Sequence, residues 1–353
     1  MSFSALPPEI ILLEIAPYLR DPCDLFALCR VDRRTHTLVA PKFHQRFRRL
    51  AVLHAGGLVA HAAVSNWTRL LRCTIAKGGS VHGVDHGRRA PIVEAAHLGH
   101  NDVVRILLDA GADIEAHQGA ALLCASLCHN FSTVQLLLAR GAEVDCRPPA
   151  PWGAGVTPLG TIINGIRWRS IRRTRIAAGI LRDCPCELEV IRVLLHHGAD
   201  PARPQADGPD ESLLLSVAGY SCAVARLLLD SGCDIAARDF RKNTALHRAI
   251  RGHAYSDAMQ NNYEREVSEA TVRLLVERGI SVDAENSAGR TALHIAAHEG
   301  RDEIIEYLLS VGADPALRDR DGADAYDLWK QGREDGAWAN RVSKKGHLLA
   351  PPA

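Results

Sequence analysis

Residues 289–315 read GRTALHIAAHEGRDEIIEYLLSVGADP, and this stretch decides the fold. Thr291 precedes a short apolar run in which Leu293, Ala296 and Ala297 fall on one side of a helix. Gly300 is placed to end that helix in the left-handed conformation. Asp302 is the expected cap of a second helix, in which Ile304, Ile305, Leu308 and Leu309 form one buried stripe, and Gly312 closes it. The stretch predicts two short antiparallel helices.

A unit this small buries too few apolar side chains to offset the backbone entropy of ordering it, so it needs neighbours on both faces. The sequence supplies them. The closing phrase, an apolar pair followed by glycine and a small residue, recurs at Gly79, Gly111, Gly141, Gly198, Gly232, Gly279 and Gly312. Successive differences are 32, 30, 57, 34, 47 and 33, which makes the period about 33 residues with two enlarged spacings. Both surpluses, before Gly198 and before Gly279, fall between the first and second helix of their units, on the side away from the hairpin tips.

With helix, turn, helix, this period and the tetrapeptides TALH at 244–247 and 291–294 and TPLG at 157–160, the chain resembles the ankyrin-repeat family over about residues 50–330. The resemblance implies that Thr and His of each tetrapeptide brace the turn into the first helix, so His247 and His294 are structural. It also implies that partners bind at the hairpin tips and on the concave face of the first helices. The candidate partner-binding tip residues are Asp85, His86, Arg88, His117, Gln118, Asp239, Phe240, Arg241, Asn286, Ser287, Asp319, Arg320 and Asp321. Phe240 stands out, because an aromatic side chain at a tip serves either as a contact anchor or as packing for the next hairpin.

The first enlarged spacing carries RWRSIRRTRIAAGILRD at 167–183. Arg167, Arg169, Arg172, Arg173, Arg175 and Arg182 around Trp168 suit an anionic partner, whereas Ile171, Ile176, Ile180 and Leu181 suit a solvated helix packed on the stack. The second, HAYSDAMQNNYEREVSE at 253–269, is polar and reads as a long loop. Ala325, Leu328 and Trp329 within residues 322–335 suit a truncated last unit that closes the stack.

Residues 6–47 are organised differently. Leu6 and Pro7 start the segment, Ile10, Leu13 and Ile15 are candidate buried positions of a first helix, and Asp24 is the expected cap of a second helix bearing Leu25, Leu28 and Val31. Some forty residues rarely hold a core of their own, so the apolar face needs the repeat stack or another protein. LPPEIILLEIAPYLRDPCDLFALCRVDRR resembles an F-box, most closely the version that precedes ankyrin arrays in fungal proteins. The resemblance implies docking to the Skp-type adaptor of a cullin-RING ubiquitin ligase through Leu6, Pro7, Ile10, Ile15, Leu19, Leu25, Leu28 and Val31. Pro17 inside the first helix departs from the pattern, as do Thr35 and His36 after the arginine pair. The other reading of residues 6–47 is a helical cap on an ankyrin scaffold with no link to ubiquitin.

Composition narrows the function classes. Among 353 residues, 42 are Lys or Arg and 41 are Asp or Glu, so no global field draws the chain to nucleic acid or an anionic membrane, and neither partner is expected. No apolar run reaches the length of a membrane span, which suits an intracellular protein of cytoplasm or nucleus. Ten scattered cysteines (Cys23, Cys29, Cys73, Cys124, Cys128, Cys146, Cys184, Cys186, Cys222 and Cys233) lack paired zinc spacing and read as reduced thiols, with no metal or cofactor expected. Phosphate-loop, nucleophile-elbow and zinc-helix motifs are missing, and His298-Glu299 starts the last of these without completing it. The expectation is a non-enzymatic, all-α chain: a three-helix F-box-like segment over 1–47, an array of about seven helix-turn-helix units over 48–330 with insertions near 163–186 and 252–268, and a tail over 331–353.

Overall fold

The computed structural model describes residues 57–76, 78–83, 89–150, 152, 155–173, 185–202, 212–251, 262–334 and 348–349. The F-box-like segment and the tip residues Asp85, His86 and Arg88 lie outside them. All regular structure among the described residues is helical.

The chain divides into two compact units, 1–158 and 159–353. In the first unit the helices are α1 (Gly57–Val64), α2 (Thr68–Ala76), α3 (Pro91–His97), α4 (Asn101–Asp109), α5 (Ala116–Leu127) and α6 (Phe131–Ala139). The first helices α1, α3 and α5 pack side by side as one layer, and the second helices α2, α4 and α6 form the other. Alanine makes the first layer possible. Ala62, Ala63, Ala95, Ala96, Ala120, Ala121 and Ala125 are all fully buried, and their small side chains let neighbouring helices approach closely. The second helices contribute the bulk, with Leu71, Val103, Val104, Leu107, Val134 and Leu137 buried between the layers.

In the second unit, α7 (Pro158–Arg173) and α8 (Pro185–His196) are followed by α9 (Leu213–Val217), α10 (Cys222–Asp230), α11 (Ala245–Arg251), α12 (Asn262–Glu277), α13 (Ala292–His298), α14 (Asp302–Ser310) and α15 (Ala325–Glu334). The same two-layer rule holds: α9, α11, α13 and α15 pack in sequence, and α8, α10, α12 and α14 line the other side. Ala325, Leu328 and Trp329 are buried as expected of a closing helix.

The closing glycines are left-handed in the structure, and one of them is corrected. Gly111, Gly141, Gly198, Gly232, Gly279 and Gly312 all have φ between 82° and 92°, but in the first unit Gly78, at φ 85°, does this work. Gly79 occupies the following position, where its N–H donates to the Thr74 carbonyl at 2.9 Å, as Ala112 does to Leu107 at 2.9 Å. The first spacing is therefore one full period. Gly300 ends α13 at φ 62° as expected, while His129 adopts φ 56° at the matching position after α5.

Three further expectations are corrected. Asp302 is the first residue of α14 and not its cap; Arg301 holds the capping position without a side-chain hydrogen bond to the helix. Asn101 and Phe131 likewise begin α4 and α6, behind His100 and Asn130, which reach back to the preceding unit. His100 Nδ1 lies 3.0 Å from the Ala63 carbonyl, and Asn130 Nδ2 donates to the Ala96 and His97 carbonyls at 3.0 and 2.9 Å. These bonds tie the last turn of one unit's first helix to the start of the next unit's second helix. The second insertion is not a loop throughout: residues 262–269 are the opening turns of α12, which runs 16 residues against 9 for α14. The arginine-rich insertion is helical through Arg173, as a continuation of α7. Last, Cys186 is disulfide-bonded, so the expectation of reduced thiols fails there and holds for Cys73, Cys124, Cys128, Cys146, Cys222 and Cys233. Burial raises the Cys124 thiol to about 11 and the Cys146 thiol to about 12, which keeps both as inert packing groups.

Candidate functional site

Three successive hairpins in the second unit share one construction. Each starts with a residue whose side chain folds the chain over itself: Asp239, Asn286 or Asp319. Asp239 accepts the backbone N–H groups of Arg241 and Asn243, both at 2.8 Å, and Asp319 accepts those of Asp321 and Ala323, both at 3.0 Å. Asn286 does the same for Ala288 at 2.9 Å and Arg290 at 3.1 Å. Backbone bonds close each turn, from Asp239 N–H to the Asn243 carbonyl at 3.0 Å, Asn286 to Arg290 at 3.0 Å and Asp319 to Ala323 at 2.9 Å. The left-handed turn residue is Gly289 or Gly322 in two hairpins and Lys242, at φ 58°, in the third.

The hairpins are also joined to one another. Ser287 N–H donates to the Arg241 carbonyl at 2.8 Å, Arg320 N–H to the Ala288 carbonyl at 3.0 Å, and Asn286 Nδ2 to Asn243 Oδ1 at 3.0 Å. The tips form a continuous hydrogen-bonded edge, a rigid support for whatever side chains point away from it.

This geometry divides the expected tip residues. The Asp239 and Asp319 carboxylates are 1% and 0% exposed and serve the turns; they are not presented to solvent, contrary to a role as free tip contacts. Arg248 pairs with the first at 3.0 Å and Arg290 with the second at 3.0 Å. Burial pushes the Asp239 carboxyl up, but the Asn243 side chain and N–H, the Arg248 guanidinium and the Arg241 N–H outweigh it and hold the group below the usual carboxylate range. Asp319 is likewise held low, its burial outweighed by the Ala323 N–H, the Arg290 guanidinium and the Asp321 N–H. Asn286 is spent on its turn and on Asn243. Phe240, Arg241, Ser287, Arg320 and Asp321 remain exposed. Phe240 is 70% exposed and does not pack on the next hairpin; the Arg241 guanidinium lies 5.4 Å from its ring centroid.

In the first unit, His117 and Gln118 occupy a sharper turn. Both are left-handed, at φ 56° and 58°, and Gly119 follows at φ 83°. A Cβ on Gly119 would meet Cys146 Cβ at 2.4 Å, so only glycine fits. The His117 ring lies 5.6 Å from that of Trp152, and Arg89 lies over the same indole at 5.6 Å while pairing with Glu94. Sequence reasoning missed this arrangement, since nothing in AHQG announces consecutive left-handed residues without glycine.

The Thr–His brace is present in both TALH units. Thr244 Oγ1 donates to His247 Nδ1 at 2.8 Å, and Thr291 Oγ1 to His294 Nδ1 at 2.9 Å; the Thr backbone N–H reaches the same nitrogen at 3.2 Å in each. His247 Nε2 donates to the Arg290 carbonyl of the next hairpin at 3.0 Å, which fixes the neutral tautomer. His294 Nε2 is buried without a hydrogen-bond partner among the described residues. Both rings are buried, and burial lowers their pKa below the usual histidine value. Neither is available to a ligand. Among the described residues no group of three or more His, Cys, Asp or Glu side chains is arranged to hold a metal ion, and no helix is long and apolar enough to cross a membrane.

Comparison with known proteins agrees with this construction. A family profile described as ankyrin repeats (3 copies) matches residues 60–148 and 254–319. The ankyrin repeat and KH domain-containing protein mask-1 of Caenorhabditis elegans is 29% identical over 257 residues, which covers 67% of this chain and 9% of that protein. Human ankyrin repeat and SOCS box protein 16 is 28% identical over 257 residues, covering 64% of this chain and 52% of its own length. The chain thus spans about half of one relative and a small fraction of the other. Among solved structures, the ankyrin repeat domain of Bcl-3 superposes with a TM-score of 0.53 at 21% identity, covering 72% of this chain and 99% of that domain. The two-layer helical array with its bonded hairpin edge is an ankyrin-repeat fold.

Proposed function

We propose that this chain is a non-catalytic adaptor that holds a protein partner on the hairpin edge of its ankyrin repeats, with Phe240 as the anchor. The observation that carries this reading is the exposure of a phenyl ring on a turn whose backbone is fixed by a buried aspartate and by the neighbouring hairpin. A large apolar side chain held out on a rigid support binds with little ordering cost, which is the character of an interface hot spot. Arg241 over the ring adds a donor that the same partner can engage. The relatives share the repeat architecture, which supports protein binding as the general role.

The finer proposal concerns the start of the chain. Leu6, Pro7, Ile10, Ile15, Leu19, Leu25, Leu28 and Val31 carry the F-box resemblance, and it supports a substrate-receptor role in which this segment docks to a Skp-type adaptor of a cullin-RING ligase. The repeats then hold the protein to be ubiquitinated, and catalysis belongs to the partners.

Crosslinking and mass spectrometry in the native cell test both halves. The full chain is expected to capture a partner that Phe240→Ala loses, and to capture a Skp-type adaptor that a Leu6→Ala, Pro7→Ala, Ile10→Ala, Leu28→Ala variant loses while its melting temperature stays unchanged. A retained adaptor overturns the docking proposal. If deleting residues 1–47 instead lowers the melting temperature and removes no adaptor, the segment is a cap on a plain scaffold.

A further inference from the structure

Beside the hairpin edge, on the face of the first helices, lies a surface cleft of about 340 Å³. Its walls come from two consecutive units: Arg241 and Asn243 from one hairpin and Arg251 from the end of α11, then Ser287, Ala288 and Arg290 of the next hairpin with Asn286, and one side of α13 and its end with Ile295, His298 and Glu299. The size lies at the lower end of the roughly 300–1,000 Å³ typical of clefts that hold side chains or small ligands.

The charge of the wall is one-sided. Three guanidiniums, from Arg241, Arg251 and Arg290, face a single carboxylate, Glu299, which sits beside His298 at 3.9 Å. Arg290 is already committed, to Asp319 at 3.0 Å and Asp321 at 3.9 Å. Arg241 and Arg251 are exposed and make no ion pair among the described residues. The Ser287 hydroxyl, also exposed, adds a neutral donor. In a chain with 42 basic and 41 acidic residues this is a local concentration of positive charge, not a sample of an overall excess. Guanidinium forks match carboxylates through paired N–H donors, and they do so most strongly where walls exclude part of the water.

We infer that this cleft binds acidic side chains of a protein segment laid along the face of the first helices, with Arg241 and Arg251 as the two carboxylate-gripping groups. The inference deepens the protein-binding reading above and rests on it: Phe240 supplies the apolar anchor at the edge, and the cleft selects for acid next to it. Two uncommitted guanidiniums suit one or two carboxylates. A nucleic-acid strand would need a longer run of cations along its phosphates.

Fluorescence anisotropy on the full-length chain tests this, with a short fluorescein-labelled peptide of alternating Glu and Ser. The wild-type chain is expected to bind it, to bind the Gln-for-Glu isostere about ten-fold less tightly or worse, and to lose affinity as salt rises. Arg241→Gln and Arg251→Gln should each weaken binding about ten-fold, while Arg226→Gln, which removes an exposed charge from α10, should change it less than about two-fold. Equal loss in Arg226→Gln marks diffuse attraction and overturns the inference. Displacement by free glutamate at the same carboxylate concentration marks a small-anion site, and equal affinity for an oligouridylate marks a nucleic-acid groove; either result overturns it. If the peptide fails to bind while the cellular partner is still lost on Phe240→Ala, only the acidic preference falls and the edge remains the binding surface.

Discussion

At the scale of single residues, the two buried histidines do more than brace a turn. Each accepts from its threonine through Nδ1, and His247 donates through Nε2 to the next hairpin, so each is required in its neutral form. Their folded-state pKa values are lowered by burial, whereas in the unfolded chain they return to the usual value near 6.5. Above that value both states are neutral and the array has its full stability. As pH falls below it, the unfolded chain takes up protons that the folded one refuses, and stability declines until the folded pKa is passed. Urea midpoints are therefore expected to fall between pH 7 and pH 5, and a His247→Gln, His294→Gln chain should be weaker at pH 7 but nearly flat over that interval. An equally steep slope in the double variant assigns the effect to other groups. Asp239 and Asp319, with lowered pKa, contribute stability that is lost only in more acid solution, as pH falls below the ordinary carboxylate value near 4. The histidine role was legible because TALH carries its own local partner at a fixed spacing. The aspartate role was not: a charged residue at a tip reads as exposed, and only the hairpin's curvature shows that its carboxylate points inward.

At the scale of elements, the same curvature makes the hairpin a unit of stability. Asp319 holds two N–H groups of its own turn and the Arg290 guanidinium of the preceding one. Asp319→Ala is therefore expected to cost about 2–4 kcal/mol, since it leaves buried donors and a guanidinium without their acceptor. Calorimetry or urea unfolding measures the cost, and a loss below about 0.5 kcal/mol would show that water replaces the carboxylate. The helices themselves were legible from glycine spacing, because a left-handed closing residue recurs once per unit whatever the side chains around it. Gly79 misled because two adjacent glycines offer the same chemistry, and only the bond from Gly78 N–H to the Ile75 carbonyl at 2.9 Å decides between them. Asp302 misled because the capping position of α14 falls one residue earlier, on Arg301, which makes no cap bond, just as His100 and Asn130 before α4 and α6 are spent on the neighbouring unit. The opening of α12 was hidden by polar composition. Its residues from Asn262 to Glu269 open a helix in which Ser268 and Thr271 are buried further along.

At the scale of the whole molecule, a stack of units gains its stability from neighbours, so damage at an end should spread inward by steps and not all at once. Among the described helices of the second unit the last is α15, which packs on α13. Trp329 is 9% exposed and lies parallel to the Tyr326 ring at 6.0 Å, with Leu328 and Ala325 buried beneath the same turn. Trp329→Ala removes the largest side chain of the closing helix and is expected to weaken it by about 3–5 kcal/mol, the range for truncating a large buried aromatic. Because α13 would then lose the cover on one face, its amides should exchange next, together with α14, while α9 and α10 keep their protection. Hydrogen exchange read by mass spectrometry follows that gradient directly. Uniform loss from α9 to α15 would instead show that the unit unfolds as one cooperative body, and the tips at Phe240 and Arg241 would then be only as rigid as the far end of the stack. With graded loss, the edge around Phe240 stays formed when α15 frays, because its turn is held by Asp239, Arg248 and Asn286 and by none of the closing helix.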